Sequence, residues 1–198
     1  GDIIESLIYS FVIDWNFLKK DPEMPKVVPA PVTLNNSTGV QLLTSGPTET
    51  WNNLSMVFLK AISSARKTIY IQTPYFLPTD ALLSALQSAA LAKVDVRIMM
   101  PEKTDSVLLH YASFSYITQC LKAGIKVYLY EPGMLHAKAM IIDDELVTAG
   151  STNFDFRSFE NNFECNLFIY DSCINRTMRD IFFSDLQNCR KLRLSEWR

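Results

Sequence analysis

The chain has 198 residues, of which 48% are hydrophobic, 20% charged and 12% aromatic, a globular composition that excludes a disordered or collagen-like polypeptide. Nineteen Lys and Arg against 21 Asp and Glu give a formal net charge of −2, so the strong basic excess of a broad nucleic-acid footprint is missing and nucleic acid is not expected as a partner. The length suits one domain with an appendage, and no apolar run reaches the ~18 residues of a membrane-spanning helix.

Residues 3–19 read as a helix with apolar residues on more than one face. Residues 21–38, with Pro22, Pro25, Pro29 and Pro31 followed by Asn35-Asn36-Ser37-Thr38, read as a linker. The expected division is therefore 1–38, a helix and proline-rich linker, and 39–198, the main domain. Within the domain, 40–43 is a predicted strand, 50–66 a helix and 68–72 a strand running into Pro74. Thr79 is placed to cap a helix over 80–92. A strand over 94–100 is ended by Pro101, and a helix over 105–122 by Gly124. Strands follow over 125–130, 136–142, 145–149 and 163–170, then a last helix over 173–190. Alternating helices and strands predict a layered α/β domain, and the close strand pair around Asp143-Asp144 makes its sheet mixed and only partly parallel.

One stretch carries chemistry. On an extended segment residues i and i+2 share a face, so His136 and Lys138 project together, and Ser151 and Asn153 do likewise after Gly150. If the two strands are neighbours, an imidazole, an ammonium, a hydroxyl and an amide converge, with Glu164 beyond them in an otherwise apolar strand. Imidazole serves as nucleophile or proton carrier near neutral pH, lysine and asparagine donate to a phosphoryl oxyanion, and a carboxylate orients an imidazole. Two histidines, 110 and 136, exclude a polyhistidine metal site. The four cysteines at 120, 165, 173 and 189 form no C-x-x-C, so reduced thiols are expected and no metal or cofactor is. The chemistry indicated is phosphoryl transfer through a phosphohistidine. Taken singly, a His-x-Lys pair is usually a half-exposed strand, and Ser and Asn after Gly are usually turn residues; it is the conjunction that argues for a site.

That conjunction resembles the phospholipase D superfamily motif, H-x-K-x4-D followed by G-S-x-N. His136, Lys138, Asp143, Gly150, Ser151 and Asn153 fill it, and the downstream acidic residue falls on Glu164, seven positions across 29 residues. The run GSTNFDFRSFENNFE over 150–164 is similar to that of bacterial cardiolipin synthases. So are Gly133 and Leu135, Thr73-Pro74-Tyr75-Phe76-x-Pro78 and Ser45-Gly46-Pro47. Residues 5–19 resemble the segment that follows the first catalytic motif of those enzymes. Lys93 departs, since relatives often carry Gly there.

The resemblance implies a layered α/β/α phospholipase D-like domain. It also implies a site made by two such motifs about a pseudo-two-fold axis, so this chain is expected to be the C-terminal half of a longer enzyme. The missing N-terminal half, or a second copy as a homodimer, is the implied partner. One histidine attacks phosphorus and the other protonates the leaving alcohol. His136, as the second-motif histidine, takes the general-acid role, the nucleophile's being the alternative. Lys138 and Asn153 would hold the phosphate, with support from Ser151. Glu164 would orient the other motif's histidine, and Asp143 would brace backbone. Implied substrates are phosphatidylglycerol and other anionic phospholipids at a membrane surface, the bacterial inner membrane, reached through N-terminal segments of the longer chain. The product is cardiolipin, with glycerol released. The alternatives are a phosphodiesterase or nuclease completed by homodimerisation, and an inert phospholipid-binding fragment.

Elsewhere, His110 is expected to be a satisfied or surface residue. Tyr75, Phe76, Tyr111, Phe114 and Tyr116 are expected in the core, Asp155 and Arg157 as an ion pair behind the site, and Arg190, Lys191, Arg193 and Arg198 as a solvated basic tail.

Overall fold

The computed structural model describes residues 3–18, 38–105 and 107–195. The proline-rich linker up to residue 37, the side chain of His110 and Arg198 lie outside the described residues.

Three parallel strands build the centre, two of them with near-continuous burial, as strands covered on both faces must have, and the third with alternating burial. These are β2 (Thr68–Gln72), β4 (Asp95–Pro101) and β5 (Lys126–Tyr130), paired in parallel. The chain then reverses. β6 (Ala139–Ile142) runs antiparallel to β2, β7 (Leu146–Gly150) antiparallel to β6, β9 (Glu164–Tyr170) antiparallel to β7, and β1 (Gly39–Ser45) antiparallel to β9 at the edge. With β10 (Cys189–Lys191) beyond β5, the order of this mixed eight-stranded sheet is β1-β9-β7-β6-β2-β4-β5-β10.

Alternation along each strand decides which helix covers which face. Ile69 and Ile71 join one buried cluster with Leu54, Phe58 and Ile62 of α2 (Asn53–Ser64), Leu82 and Leu86 of α3 (Asp80–Leu91), and Ile117 of α4 (Val107–Ala123). Tyr70, between them, turns to the opposite face and stacks at 5.0 Å on Phe182 of α6 (Ser172–Leu186). The result is the expected α/β/α layering. Asn52 and Thr79 cap α2 and α3, and Asp171 caps α6 by accepting from Cys173 N at 2.9 Å and Ile174 N at 2.8 Å. That set of backbone donors, with Thr38 Oγ1, holds the Asp171 carboxyl below the usual range.

α3 and α4 end in the same way. Val94 N bonds Ala89 O at 3.0 Å and Lys93 N bonds Ala90 O at 3.0 Å; Ile125 N bonds Cys120 O at 3.0 Å and Gly124 N bonds Leu121 O at 3.1 Å. Each ending needs a left-handed residue, and it is Gly124 at φ 91° in one case and Lys93 at φ 73° in the other. Relieving the strain at Lys93 outweighs the extra freedom that glycine gives the unfolded chain. Lys93→Gly is therefore expected to stabilise the protein by about 0.5–1 kcal/mol, read as a raised urea midpoint at unchanged m-value.

The structure departs from the periodicity in several places. The last predicted helix stops at Leu186, and Cys189–Lys191 add an edge strand instead. Arg190 and Lys191 are exposed, as expected of the basic tail, but lie on this strand, where Arg190 pairs with Glu102 at 2.7 Å and Lys191 lies over the Tyr128 ring. Tyr111 is 71% exposed, unlike Phe114 and Tyr116, which pack on the core. α1 (Ile3–Phe17) has no buried residue. It lies near the β1 edge, with Phe17 5.7 Å from Phe163, and leaves Leu7, Phe11 and Ile13 exposed.

Candidate active site

His136 and Lys138 precede β6 rather than belonging to it, since the ladder begins at Ala139 opposite Gln72. They stand where β2 ends, at the carboxyl end of the parallel strands, the side on which open α/β sheets bind ligands. Lys138 O accepts Gly150 N at 3.3 Å. Lys138 Nζ lies 3.2 Å from His136 Nδ1 and 3.3 Å from Nε2, and bonds His136 O at 3.1 Å. The His136 ring is exposed, while Lys138 is half-buried. Burial pushes the Lys138 pKa below the usual lysine range, against the opposing pull of the Glu164 and Asp155 carboxylates.

The segment after β7 is held donor by donor. Ser151 N bonds Cys165 O at 3.0 Å, Thr152 N bonds Asn166 Oδ1 at 3.2 Å, Asn153 N bonds Ser158 Oγ at 3.2 Å, and Phe154 N bonds Thr73 Oγ1 at 3.0 Å. A run of irregular backbone is thus fixed without leaving an amide unpaired. Three of these acceptors are side chains that sequence reasoning missed. Asn166 carried a signal, being two residues from Glu164 on the same face of an apolar strand. Thr73 and Ser158 were visible only as parts of family-like runs.

Phe154–Asp155 form a short strand, β8, beside Phe76–Leu77, β3, and the short helix α5 (Phe156–Glu160) follows. Asp155 caps that helix by accepting Ser158 N at 2.7 Å. It does not pair with Arg157, so the expected ion pair is replaced by a cap. Phe76 is buried and stacks on Phe154, as expected of a core residue.

Because the chain bends at Ser151, Ser151 and Asn153 do not share a face as continuous extension would require. Ser151 and Glu164 line a cavity of about 670 Å³ between α1 and the β1 edge. Asn153 lines a different one, of about 200 Å³. Glu164 is 8% exposed, and both of its oxygens are taken: Oε2 accepts the Ser151 hydroxyl, and Oε1 accepts Asn162 Nδ2 at 3.2 Å. Ser151 Oγ in turn accepts Cys165 N at 2.9 Å. No hydrogen bond joins Glu164 to His136.

Asp143 lies at the far end of β6, away from the imidazole. At φ 51° it turns the β6–β7 hairpin, and its carboxylate accepts from Arg66 N at 3.0 Å, Lys67 N at 2.8 Å and Thr68 N at 2.8 Å. It thus ties the start of β2 to the end of β6. Asn175 of α6, fully buried, clamps the same hairpin through Ile142 O and Leu146 O. Among the described residues, no group of three or more His, Cys, Asp or Glu side chains could hold a metal ion, and no helix is long and apolar enough to cross a membrane.

Residues 58–186 match the family model described as cardiolipin synthase, PLD-like domain. The chain belongs to this family. Across its whole length it is 39% identical to cardiolipin synthase 2 of Staphylococcus epidermidis and 40% identical to the major cardiolipin synthase ClsA of Bacillus subtilis, in each case over 41% of that protein. The chain therefore spans about two fifths of the length of the curated relatives it matches. The fold is shared with a phospholipase D family member, Nuc from Salmonella typhimurium (TM-score 0.66, 23% identity, 79% of this chain and 99% of that one). The G-S-x-N of this cardiolipin synthase-type domain is thus the pinned segment just described.

Proposed function

We propose that this cardiolipin synthase-type domain supplies one half of the active site of a phosphatidyltransferase that joins two phosphatidylglycerols into cardiolipin and releases glycerol. The observation that carries the reading is the His136 imidazole beside the Lys138 ammonium, at the open end of the sheet and next to a segment whose backbone donors are all committed. Such preorganisation is what charge stabilisation at phosphorus requires. Lys138 and the Asn153 amide take the phosphoryl oxygens, and Ser151 holds Glu164.

The second histidine, on an N-terminal half of the same polypeptide, attacks phosphorus. The P–O bond to glycerol breaks, and His136 delivers a proton to the departing alkoxide. His136 then removes the proton from the terminal hydroxyl of a second phosphatidylglycerol, which attacks phosphorus and breaks the P–N bond. Glu164 faces the cavity under α1 rather than His136, which supports giving it to the second histidine. Asp143 acts on backbone. The apolar surface left on α1 suits coverage by that other half, and N-terminal segments of the polypeptide would hold the site at the bacterial inner membrane.

The test is the full-length polypeptide in phosphatidylglycerol vesicles. Cardiolipin and free glycerol are expected in equal amounts. Phosphatidic acid without cardiolipin would replace transfer by hydrolysis.

A further inference from the structure

The 200 Å³ cavity beside Asn153 has a composition of its own. Tyr75, Asp155, Arg157 and Asn162 line it with Asn153, and Leu77 contributes to its apolar wall. The Tyr75 hydroxyl donates to Asp105 Oδ1 at 2.5 Å. That bond pushes its pKa up to about 12, so the phenol stays protonated and its oxygen offers only lone pairs. Asn153 Oδ1 is buried with no hydrogen-bond partner. Asp155 spends Oδ1 on its helix cap and keeps a second acceptor oxygen. The acceptors that the cavity offers are thus the Tyr75 oxygen and the second Asp155 oxygen, with Asn153 Oδ1 closed off behind them. Beside them, the exposed Arg157 guanidinium makes no ion pair among the described residues.

Acceptors call for hydroxyl donors, and the guanidinium calls for an anion close to them. Resting on the transferase reading, we propose that this cavity binds the glycerophosphoryl head of the acceptor lipid, its secondary hydroxyl meeting the Tyr75 oxygen, its terminal hydroxyl left to His136 and its phosphate meeting Arg157. In a two-step exchange the leaving and attacking alcohols occupy the same place. Both are glycerol, but only the attacking one still carries a phosphate, so Arg157 distinguishes an acceptor phospholipid from free glycerol or water. An ammonium head would satisfy the acceptors but be repelled by Arg157, and a choline head offers no donor.

Two measurements test this. In the first, dihexanoyl phosphatidylglycerol and dihexanoyl phosphatidylcholine, whose backbone hydroxyls are both acylated, are titrated below micelle-forming concentration into the 198-residue chain and followed by NMR. The diol probe should bind tighter, and Arg157→Gln should weaken it by about tenfold, the scale of one charge-assisted contact. Equal affinity for the two probes, or wild-type affinity in the variant, overturns the proposal. Arg157 is exposed, and an unchanged urea midpoint confirms that the variant folds. In the second, the full-length polypeptide carrying Arg157→Gln should show a cardiolipin-to-phosphatidic-acid ratio lowered about tenfold; an unchanged ratio overturns the assignment. If the wild-type polypeptide makes no cardiolipin, the transferase reading fails, and the binding titration still decides what the cavity holds.

Discussion

His136→Ala in the full-length polypeptide is expected to lower turnover by about 10⁴-fold or more, since removing one member of a group that acts as a unit costs nearly as much as removing the unit. The imidazole is exposed and, among the described residues, its side-chain polar contacts are with Lys138, so folding stability should change by less than about 0.5 kcal/mol. Asp143→Ala gives the opposite profile. It removes three charge-assisted bonds to the Arg66, Lys67 and Thr68 amides and should cost about 2–3 kcal/mol. Steady-state transfer rates and urea denaturation on both variants check the pair. Near-normal turnover in His136→Ala would remove the imidazole from the mechanism. A stability-neutral Asp143→Ala would remove the brace.

Gly150→Ala should destabilise the domain by about 3 kcal/mol, at the upper end for overpacking. A Cβ at this position would meet Cys165 O, Asn166 Oδ1 at 2.5 Å and Asn166 Cα at 2.7 Å. Two of these three atoms are backbone of a paired strand, so β7 and β9 would have to part. Glycine within a strand often marks such a close approach. The parting would also disturb the Ser151 and Thr152 amide bonds to β9, so activity should fall with stability. Chemical denaturation reads the first effect, and turnover measured well below the unfolding midpoint reads the second. An alanine variant as stable as the wild type would show that the strands can separate there at no cost. The first glycine of G-S-x-N would then need another explanation.

Much of this arrangement was legible in one dimension. The apolar and β-branched runs TIYIQ, VDVRIMM and IKVYLY marked β2, β4 and β5, because strands at the centre of a sheet must bury such side chains. Gly124 and Thr79 announced helix ends, because only certain residues meet the backbone demands there. His136 and Lys138 were recognisable together through their spacing, which extended backbone converts directly into a shared side. Short elements were not legible. Phe76–Leu77 pairs with Phe154–Asp155 across 78 residues of chain, and two residues carry no period.

The sequence by itself determined the layered α/β class, the family resemblance and the identity of the chemical groups, because periodicity and motif spacing are local properties. Only the tertiary structure decided that Ser151 and Asn153 face different cavities, since the bend between them depends on Asn166, Ser158 and Thr73 arriving from three other places in the chain. It alone identified the Arg66, Lys67 and Thr68 amides as the backbone that Asp143 holds, and set Arg157 beside Asn153 with no ion pair among the described residues. A side chain's partner is set by what the fold brings next to it, and residues far apart in sequence leave no local trace of that meeting.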